Sequence, residues 1–165
     1  MARDVNERKR CGGGRMTNEI KIAPIKNGTV LDHLNSGAIY KILQVLDLTE
    51  YTVTAAMNVE SRKAGKKDVM FIEGKELNEK ELGKIALLGK GATVNIIKNS
   101  KIKSKTKLGY PKKAEGILKC INPKCITNME TIPTKFNIKT DPLEAKCFYC
   151  ETQLNENEIV ESIKK

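Results

Sequence analysis

Four cysteines near the end of the chain limit what it can fold into more than any other feature. "KCINPKCITN" at 119–128 carries Cys120 and Cys125, and "KCFYCE" at 146–151 carries Cys147 and Cys150. Two close pairs separated by a short segment suit a tetrahedral zinc site: each pair sits on a tight turn with both sulfurs pointing one way, and folding brings the turns together. Asn122-Pro123 in the first turn and Phe148-Tyr149 in the second fit such turns. Four thiolates close the shell of a zinc ion and leave no position for substrate, so the site reads as structural, with one ion per chain. Apparent binding energies of about 10–16 kcal/mol can fold a segment too small to hold itself. Two disulfides in an exported domain are the competing reading. "MARDVNERKRCGGGR" has no apolar stretch behind its charges, which argues against export and for reduced thiols in the cytoplasm.

The chain has 165 residues, enough for one small domain plus a very small one. Aromatic residues make up 4% and tryptophan is absent, so the core must be aliphatic. No apolar run is long enough to span a membrane. The net charge of +10 is unevenly spread: eight lysines lie between 98 and 119 against a single acid, Glu115. A local basic stripe favours a local anionic ligand, although a solvated lysine-rich linker has the same composition.

Residues 1–15 read as a disordered arm containing Cys11, an incidental thiol, ahead of "MTNE" at 16–19, which looks like a natural start. "EIKIAPI" at 19–25 alternates as a strand, and "KNGT" at 26–29 reads as a turn with Asn27-Gly28 at its positive φ positions. After "VLDHL", Ser36 is expected to cap a helix with Ile39, Ile42, Leu43 and Leu46 on its apolar stripe. "YTVTAAMNV" (51–59) and "DVMFIE" (68–73) read as strands of a hairpin around the basic turn "SRKAGKK". Asn78 and Glu81 form a capping-box pattern at the start of a second helix, which Gly89 ends, and "ATVNIIK" (92–98) is a further strand. The order β-α-β-β-α-β predicts an α+β, ferredoxin-like domain: a four-stranded antiparallel sheet with both helices on one face and the other face free.

Lys101, Lys103, Lys105 and Lys107 recur every second residue. In an extended segment that spacing puts all four on one side, with Ile102, Thr106 and Leu108 opposite. Gly109 and Pro111 mark a boundary, and "GILKCI", "TKFNI" and "EAKCFYC" read as short strands of a β-rich zinc domain. The expected divisions are an arm at 1–15, a first domain at 16–105 and a zinc domain at 106–165.

From about residue 18 onward the chain resembles the regulatory chain of aspartate carbamoyltransferase. "IKNGTVLDHL" (25–34), "GKKDVMFIE" (65–73), "ATVNIIKN" (92–99) and the cysteine spacing, all in order, carry the resemblance. It implies a non-catalytic subunit of pyrimidine biosynthesis. The ferredoxin-like domain would bind nucleotide effectors (CTP, ATP or UTP), and the zinc domain would dock on the catalytic chain. Two such chains would pair through their nucleotide domains, and three pairs would bridge two catalytic trimers. By the same resemblance Asp32 accepts from the base or sugar, His33 lies by the phosphates, Lys105 reaches the triphosphate, and Asn122 lies at the catalytic-chain interface. Lys67 is a second phosphate candidate. Asn95 and Ile97 alternate outward along the strand at 92–98, and with Ile25, Val30, Val69 and Ile102 they make a plausible slot for a flat base, though each could equally be core. The chain departs from the family at Phe71, where a lysine is common, and at Ser100, where an aromatic is common.

Two other functions compete. An RNA-recognition domain shares the βαββαβ order, and zinc ribbons bind nucleic acid, but such a domain needs an aromatic platform on its sheet, and this chain offers Phe71 alone there. An enzyme would need an open metal site, a P-loop or a nucleophile–base constellation. Asp32-His33 has no third partner near it in sequence, so no catalytic residue is assigned.

Overall fold

The computed structural model describes residues 24–61 and 65–165. The expected arm, most of the strand at 19–25 and the tip of the hairpin lie outside the described residues. Ile25 is described as half-buried and irregular.

The first sheet is antiparallel, with β1 (Gly28–Leu34), β2 (Val53–Ser61), β3 (Gly65–Glu73), β4 (Thr93–Lys98) and β5 (Lys101–Lys107) in the order β2-β3-β1-β4-β5. Helix α1 (Ala38–Val45) joins β1 to β2, and α2 (Glu79–Leu88) joins β3 to β4. The βαββαβ order is present among the described residues, but its first strand is "GTVLDHL" (28–34) and not 19–25, and the lysine segment is added as a fifth strand at the edge. Alternation sets the two faces: Leu31, Met70, Ile72 and Val94 are fully or almost fully buried in one core with Ile39, Ile42 and Ile85 of the helices. Val30, Phe71 and Asn95, one position out of phase, lie on the other face and are only half-buried.

Several local expectations are corrected. β1 begins at Gly28, so Gly28 and Thr29 belong to the strand and not to a turn; Asn27 is not a positive φ position. Gly28 is required there, because at φ 146 an added Cβ would lie 2.1 Å from the carbonyl oxygen of Ile72. The N-cap of α1 is Gly37, in the left-handed region, and not Ser36, whose hydroxyl instead bonds the Asn58 side chain. Leu43 is 46% exposed; Ala38 and Val45 join Ile39 and Ile42 on the buried stripe. Gly65, Lys66 and Lys67, expected in the turn, are the first residues of β3, because the hairpin pairs as far as Ser61 with Gly65. The capping box of Asn78 and Glu81 forms in both directions at 2.9 Å, and Gly89 is the C-cap of α2.

The second sheet, β6 (Lys113–Glu115), β7 (Lys135–Thr140), β8 (Leu143–Cys147) and β9 (Gln153–Asn155), is a simple antiparallel meander. "GILKCI" is not a strand; Leu118 makes only an isolated bridge to Ile163. A short helix, α3 (Ile126–Met129), follows the first cysteine turn, and α4 (Glu156–Ser162) opens with a second capping box, Asn155 with Glu158. α4 packs on α2 of the first domain. The two domains meet along α2.

Candidate metal centre and effector face

The four sulfurs come together as the spacing predicts. Cys120, Cys125 and Cys147 are buried and Cys150 is half-buried, with all four Sγ atoms within 4.8 Å of one another. Cys120 and Cys150 are 3.5 Å apart and Cys125 and Cys147 are 3.9 Å apart. A tetrahedron with Zn–S bonds near 2.3 Å has edges of about 3.8 Å, whereas a disulfide requires about 2.05 Å. The spacing therefore fits one metal ion and excludes disulfides between these pairs.

The turns are built by the backbone. Cys125 N donates to Asn122 O at 3.0 Å, and Lys124 N donates to the Asn122 side chain at 3.0 Å. The Asn128 amide donates to the carbonyl oxygens of Cys120 and Asn122, both at 2.8 Å, and so staples the first turn to α3. In the second turn Glu151 N returns to Cys147 O, with Glu151 in the left-handed region at φ 59. Burial pushes the Cys120 and Cys147 thiols up, and their sulfur neighbours add to the rise. The less buried Cys150 is held down at about 6: burial opposes its ionisation, but hydrogen bonds from the Thr152 side chain and backbone outweigh it. A divalent ion at the centre favours the thiolate form of all four cysteines.

Around these turns Ile121 (46%), Met129 (74%) and Phe148 (64%) are exposed. Exposed apolar side chains thus lie on or beside both cysteine turns.

On the first sheet, the face away from the helices gathers the sequence-predicted ligand-binding residues. One cross-strand row runs Thr54–Phe71–Val30–Asn95–Lys105 through all five strands. A neighbouring row pairs Ile97 with Ile102. A register shift between Ile96 and Ile97 changes the expected lysine stripe. Asn95 faces Lys105 and Ile97 faces Ile102, and Asn95 and Ile97 share a face. Ile102 therefore lies on the same side as Lys105, not opposite it, while Lys101 pairs with Lys98 on the other phase. The bulge exchanges one expected cation for an aliphatic residue, 63% exposed, at the slot. Asn95 Oδ1 is buried and has no hydrogen-bond partner among the described residues; an orphaned acceptor costs about 1–3 kcal/mol.

Asp32 and His33 occupy a second bulge, in β1. His33 sits at φ 58 and is exposed. The Asp32 carboxylate accepts from Lys67 Nζ at 2.7 Å and from His33 N at 2.7 Å through Oδ1, and pairs with His33 Nδ1 at 3.0 Å through Oδ2. Burial raises its pKa, but the Lys67 and His33 hydrogen bonds and charges outweigh that and hold it below the ordinary carboxylate value. Lys67 thus reaches across the open face to β1. The next residue, Asp68, was missed from sequence. It is fully buried and accepts from Gly37 N at 2.8 Å and Asn58 N at 2.9 Å, fixing the β1–α1 junction beneath the site. Its signal was a lone acid in the buried phase of "DVMFI".

The architecture therefore defines a two-domain chain that joins a sheet with one partly basic face turned away from its helices to a four-thiolate metal domain. Residues 20–109 match the family model for the aspartate carbamoyltransferase regulatory chain, allosteric domain, and residues 112–160 match the model for its metal binding domain. The chain is 46% identical over 149 residues to the aspartate carbamoyltransferase regulatory chain of Methanococcus aeolicus, covering 89% of this chain and 96% of that protein. It is 47% identical over 150 residues to that of Pyrococcus horikoshii (88% and 99%) and 46% identical over 140 residues to that of Methanocaldococcus jannaschii (84% and 94%). The chain belongs to the aspartate carbamoyltransferase regulatory chain family. It is a regulatory subunit with an allosteric domain and a metal-binding domain, and its partner is the catalytic chain. No helix among the described residues is long and apolar enough to cross a membrane.

Proposed function

We propose that the open sheet face binds nucleoside triphosphates (CTP, ATP and UTP) and that the chain, itself without catalytic activity, passes their occupancy to the catalytic chain in the cytoplasm. The observation that carries this reading is the single row that sets Val30 and Phe71 beside Asn95 and Lys105 on the face turned away from the helices. Ile25, Val30, Val69, Ile97 and Ile102 line the base slot, while Lys105 and Lys67 supply positive charge for the phosphates and His33 lies beside them. Asp32, held ionised by Lys67, orients that lysine. The nucleotide domain, expected at 16–105 behind an arm at 1–15, runs on to the end of β5 at Lys107. The zinc domain, expected at 106–165, follows it and docks on the catalytic chain through the exposed apolar side chains near Asn122. Regulatory chains pair through their nucleotide domains, and three pairs join two catalytic trimers; neither nucleic acid nor membrane is a partner. Phe71 is the single aromatic among the described residues on the open face, which supports a mononucleotide over stacked RNA bases.

Calorimetry on the full chain with CTP, ATP and UTP tests this. Phe71 offers no charged hydrogen bond, so binding is expected to be weak and poorly selective. Lys105→Ala should lose all three ligands and Phe71→Lys should sharpen selectivity. Undiminished binding by Lys105→Ala would place the phosphates elsewhere.

A further inference from the structure

We propose that Thr127 and Thr152 are positioning residues of the metal centre: each donates its hydroxyl to a ligand thiolate, Thr127 to Cys125 and Thr152 to Cys150, and the two together set how tightly the centre holds its ion.

The second cysteine of each pair is followed two positions later by a threonine, in "CIT" (125–127) and in "CET" (150–152). Thr127 Oγ1 lies 3.2 Å from Cys125 Sγ, and Thr152 Oγ1 lies 3.2 Å from Cys150 Sγ. A shared backbone does not impose this match. Thr127 stands in the first turn of α3, which Cys125 caps in extended conformation. Thr152 follows Glu151, which is in the left-handed region at φ 59, and the Thr152 carbonyl oxygen accepts from Cys147 N at 2.9 Å. Two different local structures bring a hydroxyl to the same distance from sulfur.

Metal binding gives the contact its direction. As a free thiol, Cys150 donates to Thr152 Oγ1. A ligand thiolate has no proton and only accepts, so with an ion in place the bond persists with the hydroxyl as donor. Four thiolates around a divalent ion leave a net negative charge, and three of the four cysteines here are buried. Charge-assisted hydrogen bonds to sulfur offset that charge. The first cysteine of each pair draws them from its own turn: Cys120 from the backbone of Asn122, and Cys147 from the backbone of Tyr149 and Cys150. For the second cysteine of each pair the threonine hydroxyl adds a donor. The closest approaches between the turns, Cys120 to Cys150 and Cys125 to Cys147, each include one hydroxyl-bonded sulfur.

The two positions differ in what could replace the hydroxyl. Cys125 is 1% exposed, whereas Cys150 is half-buried and is also bonded by the Thr152 backbone and the Asn122 side chain. Water and these neighbours compensate at Cys150 and not at Cys125, so Thr127 carries the larger share.

The test compares Thr127→Val, Thr152→Val, Thr127→Ser and Thr152→Ser with wild type in the full chain, with thermal melts to establish folding. Zinc-loaded protein is equilibrated against graded chelator, and cobalt(II)-exchanged protein gives the sulfur-to-metal charge-transfer band. A hydroxyl bonded to sulfur stabilises the sulfur electrons, so its loss moves that band to longer wavelength. Thr127→Val should weaken zinc about tenfold and shift the band. Thr152→Val should do both to a smaller extent, and each serine variant should restore both. Zinc affinity within twofold of wild type in either valine variant overturns the assignment of that threonine. So does affinity that falls while the cobalt band stays in place, or that serine fails to restore, the pattern of lost packing alone. Where a valine variant does not fold, alanine takes its place and is judged by the same two readouts.

Discussion

Gly83 of α2 and Ile117 of the second domain meet so closely that a Cβ on Gly83 would lie 2.7 Å from Ile117 Cδ1. This contact lies on the ridge along which the allosteric and metal-binding domains touch. The absence of a side chain at Gly83 lets the second domain come close to α2, at the cost of a glycine inside a helix.

Two effects oppose each other in Gly83→Ala. Better helix propensity contributes about 1 kcal/mol, and overpacking against Ile117 costs about 1–3 kcal/mol. Ile117 Cδ1 is the end of a flexible side chain, so the single substitution should change stability by no more than about 1 kcal/mol. Gly83→Leu cannot be accommodated that way and should destabilise by about 2 kcal/mol or more. Pairing Gly83→Ala with Ile117→Val should make the double variant more stable than the sum of the singles. A double-mutant cycle by denaturant unfolding checks this, and strict additivity would remove the contact from the account.

The Asp32–Lys67 pair gives a pH dependence of definite sign. The folded-state pKa of Asp32 is depressed. The pair's contribution is therefore fully present above the ordinary carboxylate value of 3.8 and is lost as pH falls through the lower folded value. Both groups are partly exposed, so the contribution is small, about 1 kcal/mol or less. Asp32→Asn should lower stability by that amount at pH 7, and the gap between variant and wild type should close towards pH 3. A gap that widens on acidification would contradict the assignment.

One zinc per chain should be found by metal analysis, and Cys125→Ser should abolish it. A mercurial that takes up the four thiolates should release the ion, unfold the second domain and release catalytic chains, while the first domain keeps the helical and β signal of its own aliphatic core. A complex that stays assembled on a sizing column after losing its zinc would show that the metal domain is not what attaches the subunits.

The sequence made the metal centre legible because ligand spacing is local: each cysteine pair needs only its own turn, and Asn122-Pro123 marks one of them. The capping box at Asn78 and Glu81 was legible for the same reason, and Asn155 with Glu158 carried an equal signal for α4 that the eye drawn to short strands passes over. What was not legible is what depends on pairing. The lysine alternation from 101 to 107 implies one cationic side only if the strand stays in register, and the shift at Ile96–Ile97 is set by the partner strand, not by the lysines. The N-cap of α1 depends on pairing in the same way. Ser36 is a good N-cap residue in isolation, but Asp68, distant in sequence, holds Gly37 N, and Ser36 bonds Asn58 instead.

The most direct test is reconstitution. This chain is mixed with aspartate carbamoyltransferase catalytic trimers from the same organism, and light scattering and carbamoyl-aspartate formation are followed with and without CTP or ATP. The account predicts no activity from this chain alone, a complex containing the two chains in equal number, and a rate that changes with nucleotide only in that complex. Catalytic trimers that remain separate, or a complex whose rate ignores both nucleotides, would contradict it.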